Sequence, residues 1–154
     1  MGSHYKGRAN EVRALDAWLK LQRAAAAVKA ALEPELAESE LSDVQWSVVD
    51  ALYHLGHLGP MTAGTLLGKL TTSGGNLTKV LDNLEKRGIV ERARGRKDKR
   101  QVQVNLTTGG RVLVRGLLPS YVNAATQRLS VLTAAEQDEL ARLCKKLGRE
   151  SPAE

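Results

Sequence analysis

Thr71-Thr72-Ser73-Gly74-Gly75-Asn76-Leu77-Thr78-Lys79-Val80-Leu81-Asp82-Asn83-Leu84-Glu85-Lys86-Arg87-Gly88 is followed by Ile89-Val90-Glu91-Arg92-Ala93-Arg94, then by a basic loop, Gly95-Arg96-Lys97-Asp98-Lys99-Arg100, and by Gln101-Val102-Gln103-Val104-Asn105-Leu106. Leu77, Val80, Leu81 and Leu84 recur at helical spacing and predict a helix with one buried stripe. That phase turns Ser73, Asn76, Thr78, Lys79 and Asn83 outward. Gly88 suits the residue just past a helix end. Val102, Val104 and Leu106 alternate with Gln101, Gln103 and Asn105, the period of a half-buried strand, and Gly95 suits the turn before it. The helix opens with small, uncharged hydrogen-bonding residues, and the hairpin tip carries a cluster of cations. A helix of that kind beside a basic wing is the pattern of a winged helix-turn-helix, a reader of double-stranded DNA.

Charge distribution agrees. The 154-residue chain has a net charge of +6. Residues 1–50 hold six basic and eight acidic side chains, residues 51–106 ten and four, and residues 107–154 seven and five. The middle segment therefore carries the basic excess, an electrostatic footprint for a polyanion rather than a uniformly basic surface. Aromatics are 3% of the chain, with no Phe, too few to build stacking platforms for single strands or RNA. Hydrophobic residues at 42% are enough for a core. One cysteine, Cys144, excludes an internal disulfide framework, and it is expected in a buried dimer seam. No apolar stretch approaches the roughly 20 residues needed to span a bilayer, and no signal-peptide hydrophobic region is read at the N-terminus, so a cytoplasmic protein is expected.

The rest of the chain reads as helices. Residues 8–32 form a long one, with Val12, Leu15, Leu19 and Val28 near one stripe, ended by Pro34. An acidic linker covers residues 33–43. Ser42 and Gln45 make a capping box for a second helix, and a third is expected over residues 62–70 with Leu66, Leu67 and Leu70 inward. Thr107 can cap a helix to about Leu129, kinked at Pro119, and Thr133 and Glu136 box a last one carrying Leu140, Leu143 and Leu147. The expected class is mainly α with a small β-hairpin wing. Residues 1–42 would supply an N-terminal dimerisation helix and linker, 43–106 the DNA-binding region, and 107–154 C-terminal dimerisation helices. The terminal helices carry more apolar surface than a small winged helix can cover, so pairing with a second copy is the economical solution. A two-fold dimer would set two reading helices roughly 34–36 Å apart, matching a palindromic operator.

In this order of elements the chain resembles the MarR family of transcription regulators. The likeness is sharpest in Asp98-Lys99-Arg100, Val102, Val104, Leu106-Thr107 and Gly109, with support from Leu77-Thr78, Asp82 and the run from Leu84 to Val90. It implies a homodimeric regulator, usually a repressor, often released by a small molecule. It also implies that Asp98 orients Arg100 into the minor groove. A carboxylate beside a guanidinium fixes the fork, and a narrow minor groove attracts Arg. Lys99 stands where many relatives carry Arg and suits phosphate rather than a base edge. The candidate DNA contacts are Thr72, Ser73, Gly74, Asn76, Thr78 and Lys79 on the helix, with Arg96, Lys97, Asp98, Lys99 and Arg100 on the wing. Effectors in the family lie between dimer helices and reading head, so Trp18, Trp46, Tyr53, His54 and Tyr121 are candidate walls for a planar aromatic acid or phenol.

Each candidate has a plainer alternative. Thr72, Ser73 and Asn76 are also ordinary residues for a helix start. Gly74 and Gly75 fit close approach to a phosphate, and a simple turn explains them almost as well. Each scarce aromatic is more often core than ligand wall. His54 and His57 are three residues apart, but nothing completes a four-ligand metal site, and no cofactor is expected. No Ser-His-Asp, Cys-His, Walker or Rossmann pattern points to an enzyme. The alternative from another class is a sequence-tolerant architectural DNA binder without an effector, which a specificity ratio at fixed salt would reveal.

Asp98→Ala separates an oriented wing from a mere charge patch. Loss of the orienting carboxylate is expected to weaken duplex binding at both low and high salt, although a negative charge is removed. Simple charge counting expects tighter binding. Fluorescence anisotropy at two salt concentrations reads the sign.

Overall fold

The computed structural model describes residues 5–59, 61–70, 72–95 and 100–148. In chain order the elements are α1 (Ala9–Leu32), a short 3-10 helix η1 (Glu33–Ser39), α2 (Asp43–Leu55), α3 (Ala63–Leu67), α4 (Gly74–Lys86), strands β1 (Val90–Arg94) and β2 (Val102–Leu106), α5 (Thr108–Leu129) and α6 (Ala134–Leu147). They fall into two units, residues 33–121 and the two chain ends, up to residue 32 and from residue 122. No helix among the described residues is long and apolar enough to cross a membrane.

The unit of residues 33–121 holds the core. Val48, Val49 and Leu52 of α2, Leu66 of α3, the stripe Leu77, Val80, Leu81 and Leu84 of α4, and Val114 of α5 are buried together. Val90, Val104 and Leu106 join them from the hairpin. The expected capping box starts α2: Gln45 N–H donates to Ser42 Oγ, and Ser42 N–H donates to Gln45 Oε1 at 2.8 Å. The end of α4 closes as a Schellman turn, with Gly88 at φ +68. Gly88 N–H donates to the Glu85 carbonyl and Ile89 N–H to the Leu84 carbonyl, both at 2.9 Å. The strands β1 and β2 pair antiparallel, from Val90 opposite Leu106 to Arg94 opposite Val102. A third short segment joins β2, where Val104 N–H donates to the Met61 carbonyl at 2.7 Å and Thr62 bridges Gln103.

Two expectations need correction. The helix α3 stops at Leu67, because Gly68 caps it, so only Leu66 is fully buried; Leu70 is half-buried and Leu67 exposed. Val102 has the right phase but is 50% exposed, against 2% for Val104 and 4% for Leu106, because the hairpin projects past the core toward its tip. The start of α5 demands a glycine at Gly110. Thr107 Oγ accepts from Gly110 N–H at 3.0 Å and donates to the Gly88 carbonyl at 2.6 Å, which draws α5 onto the α4–β1 turn. A Cβ on Gly110 would stand 2.1 Å from the Ile89 carbonyl oxygen, whereas one on Gly109 would meet nothing nearer than 3.8 Å.

The other unit comprises α1, the end of α5 and α6. Val12, Leu15, Leu19 and Val28 of α1 are half-buried, and neither α1 nor α6 contains a fully buried residue. Pro119 lies inside α5, which continues to Leu129. The α5–α6 turn is held by Gln137 Nε2, which donates to the Leu129 and Leu132 carbonyls at 3.1 Å. The expected box starts α6: Glu136 accepts from Thr133 N–H at 2.8 Å, and this bond, with the Thr133 hydroxyl, holds its carboxyl below the ordinary range. Cys144 is exposed on the single chain.

The two glycines give a direct test. Gly110→Ala is expected to lower the unfolding free energy by about 1–3 kcal/mol through overpacking against Ile89. Gly109→Ala is expected to be neutral or to stabilise by up to about 1 kcal/mol, the helix-propensity gain. Urea unfolding of both variants at one protein concentration checks the difference.

Candidate nucleic-acid interface

The outward face of α4 is built from its N-terminal turn. Ser73 is the N-cap, its hydroxyl accepting from Asn76 N–H at 3.3 Å. Thr72, weighed above as a cap, instead accepts from Asn76 Nδ2 at 2.9 Å. This bond turns the Asn76 amide, leaving its carbonyl oxygen and one N–H for an outside partner. Thr78 donates back to the Gly74 carbonyl at 3.1 Å. Ser73, Gly74, Asn76, Thr78 and Lys79 are exposed and share this surface, with Thr72 half-buried at its edge. Neither Gly74 nor Gly75 has positive φ, and a Cβ would meet only Leu67 Cδ2 at 3.7 Å from Gly74 and nothing within 4 Å from Gly75. Nothing inside the described chain requires glycine there, although each glycine costs helix stability.

The wing is fastened to α4 by one arginine. Arg92 of β1 donates from Nη2 to Asp82 at 2.7 Å and from Nη1 to Glu85 at 2.6 Å, and its backbone N–H donates to Glu85 Oε1 at 3.1 Å. The hydrogen bond to Asp82 is the largest influence on the guanidinium and raises it further above its ordinary value. Read from sequence, Arg92 counts among the wing cations; in the fold its charge is answered by two carboxylates. Arg94 is exposed and makes no ion pair among the described residues. Gly95 N–H donates to the Gln101 carbonyl at 2.8 Å below the tip. Arg100 is exposed. Arg96, Lys97, Asp98 and Lys99 lie outside the described residues.

The far end of α4 is also tied down. Asn83, expected free on the outward face, accepts from Gln45 Nε2 at 2.7 Å. Arg87 donates to the carbonyls of Ser39 at 2.7 Å and Glu40 at 3.2 Å. Sequence reasoning missed these partners, since pairs separated by 38 to 48 positions leave no local periodicity.

The candidate ligand residues separate into groups. Trp46 is 3% exposed in the core and packs against Tyr121 with ring centroids 4.9 Å apart and the rings tilted by 49°. Burial pushes the Tyr121 hydroxyl above its ordinary value. Tyr53 meets His54 edge-on at 5.1 Å, and His54 Nε2 lies 3.3 Å from Asp50 Oδ1. Burial raises the Asp50 carboxyl, and the charge of His54 opposes that. Trp18, on α1 in the other unit, is 54% exposed. No cluster of three or more metal-ligating side chains occurs among the described residues.

Residues 41–102 match the MarR family. The chain is 32% identical over 111 residues to the HTH-type transcriptional regulator YkoM of Bacillus subtilis, covering 72% of this chain and 70% of YkoM. It is 37% identical over 78 residues to the transcriptional repressor MprA of Escherichia coli, covering 51% of this chain but only 44% of MprA. Among solved structures, a mutant MarR of Escherichia coli complexed with operator DNA superposes with a TM-score of 0.72 at 27% identity, covering 92% of this chain and 99% of that one.

Proposed function

The chain belongs to the MarR family of transcription regulators, and from that we propose that it is a homodimeric repressor which reads a palindromic operator and is released by a small aromatic ligand. The observation that carries this reading is the exposed face of Ser73, Asn76, Thr78 and Lys79, held beside a wing that Arg92 fastens to the same helix. Small hydrogen-bonding groups on a rigid helix suit base edges in a major groove. Arg94, Arg96, Lys97 and Lys99 supply phosphate contacts, and Arg100, oriented by Asp98, enters the minor groove. A related MarR is known in complex with operator DNA, and the relative MprA is a repressor.

Support for the dimer comes from the chain ends. The helices α1 and α6 bury no residue completely, and Leu140, Leu143 and Leu147 are exposed. Support for an effector comes from the aromatic and polar groups of Trp46, Tyr121, Tyr53 and His54 within the unit of residues 33–121. Such a ligand acts only if it prefers the dimer conformation that cannot bind DNA.

Three measurements test the reading. Asn76→Ala is expected to relax preference at one base pair per half-site by about 1–3 kcal/mol. Arg94→Gln is expected to flatten the slope of log K against log salt by about 0.9, the value of one phosphate contact, while Arg92→Gln leaves that slope in place. Sedimentation at micromolar concentration is expected to give a dimer; a folded monomer would sink the palindrome model.

A further inference from the structure

One leucine stands uncovered beside the reading helix. Leu66 of α3 is fully buried; the next residue, Leu67, ends the helix at Gly68 and is 37% exposed. Its Cδ2 lies 3.7 Å from the place a Cβ would take on Gly74, the first residue of α4. Both residues belong to the unit of residues 33–121. A single exposed leucine is ordinary on a protein surface. This one lies against Gly74, which stands between Ser73 and Asn76 in the exposed first turn of the candidate reading face.

Glycine at position 74 works against the chain's own stability in two ways. An alanine would raise helix propensity, and its methyl would meet Leu67 in ordinary van der Waals contact, removing part of that side chain from water. The backbone of Gly74 does not have positive φ, so it would accept the alanine. What the glycine keeps is a bare leucine tip and an open first turn. An apolar tip among hydrogen-bonding groups has one matching feature in a major groove, the C5-methyl of thymine. Asn76 has the complementary polar chemistry. Its carbonyl oxygen and one N–H remain after the bond to Thr72, and an asparagine amide pairs with adenine N6 and N7. Gly74 precedes Asn76 by about 3 Å along the helix axis, so the leucine tip and the amide serve the same stretch of bases. Thr78 carries a second methyl on this face, with its hydroxyl engaged by the Gly74 carbonyl.

We propose that Leu67, left bare by Gly74, is a specificity-determining residue that takes the C5-methyl of one thymine in the stretch of bases read by α4. This rests on the DNA-reading function above. The leucine then distinguishes thymine from uracil, which lacks only that methyl, by apolar contact and without a hydrogen bond.

A duplex enriched by the wild-type protein from a random pool serves as the probe, and each of its thymines is replaced in turn by uracil. Fluorescence anisotropy reads the affinity of each duplex. At one thymine per half-site the wild type is expected to lose about threefold to fourfold, the worth of one methyl group withdrawn from water. Leu67→Ala is expected to bind the thymine and uracil forms of that position equally, while keeping wild-type preference at the base pair that Asn76→Ala relaxes. Leu67→Gln keeps the length of the side chain and is expected to behave in the same way, which keeps the test open if thermal unfolding shows Leu67→Ala misfolded. Thr78→Ser removes the threonine methyl and is expected to retain the uracil penalty, whatever its overall affinity. If the penalty vanishes in Thr78→Ser and persists in the Leu67 variants, the methyl belongs to Thr78 and the proposal is overturned. A penalty that persists in every folded variant overturns it too, because the leucine then touches sugar or only supports the fold. So does a wild type that binds its enriched duplex without a penalty at any uracil position. If the wild type prefers no duplex in the pool, the DNA-reading function itself falls, and the proposal with it.

Discussion

Burial of one stripe of α4 is the constraint on which the reading head depends. Leu77, Val80, Leu81 and Leu84 are each almost wholly removed from solvent. Each such side chain contributes about 1.5–3 kcal/mol, against about 1 kcal/mol lost at each of Gly74 and Gly75. The stripe therefore wins, and it fixes the rotation of the helix about its own axis. Once that rotation is set, Ser73, Asn76, Thr78 and Lys79 have no choice but to face outward. The first turn, which carries Ser73 and Asn76 of this face, is held by the Ser73 cap and the Thr72–Asn76 bond. A first turn with two glycines and no side-chain crowding is suited to close approach by a large surface.

Arg92 adds the second constraint, and its value is geometric more than energetic. Ion pairs near solvent contribute little to stability, and both Asp82 and Glu85 are more than a third exposed. What the two carboxylates and the backbone bond achieve is a fixed attachment of β1 to α4, so that the hairpin projects from the helix at one angle. The same pairing removes Arg92 from the charge that an outside polyanion can meet. Net charge by segment therefore overstates the reach of the wing by one cation, which is why the salt slope distinguishes Arg92 from Arg94.

What could be read from residue order was whatever has a local cause. The phase of α4, the boxes at Ser42 and Thr133, and the left-handed Gly88 all follow from neighbours within one turn. Where the local rule met a boundary it overreached. Val102 obeys the strand period but lies beyond the core, and Leu67 obeys the helix period but sits where Gly68 has ended the helix. Gly109 and Gly110 are indistinguishable by composition; only the approach of the Ile89 carbonyl separates them. The partners of Arg87, Arg92 and Asn83 were invisible because their cause is tertiary, a side chain reaching another element. The aromatic residues show the same limit, since spacing alone did not tell that Trp46 would be buried against Tyr121 while Trp18 stays exposed.

The chain ends make a different physical argument. A 24-residue helix and a 14-residue helix with no fully buried residue gain little from tertiary packing in a single chain. Most helical stability in proteins comes from packing of an amphipathic face, not from propensity. The ion pairs along these helices, Lys20 with Asp16 and Arg142 with Glu139, are exposed and too weak to replace it. On the dimeric reading the missing burial is supplied by the second copy, so the stability of α1 and α6 becomes a function of protein concentration. Folding of the ends and assembly would then be one equilibrium. The reading head, with its own buried core, would not share that dependence to the same degree.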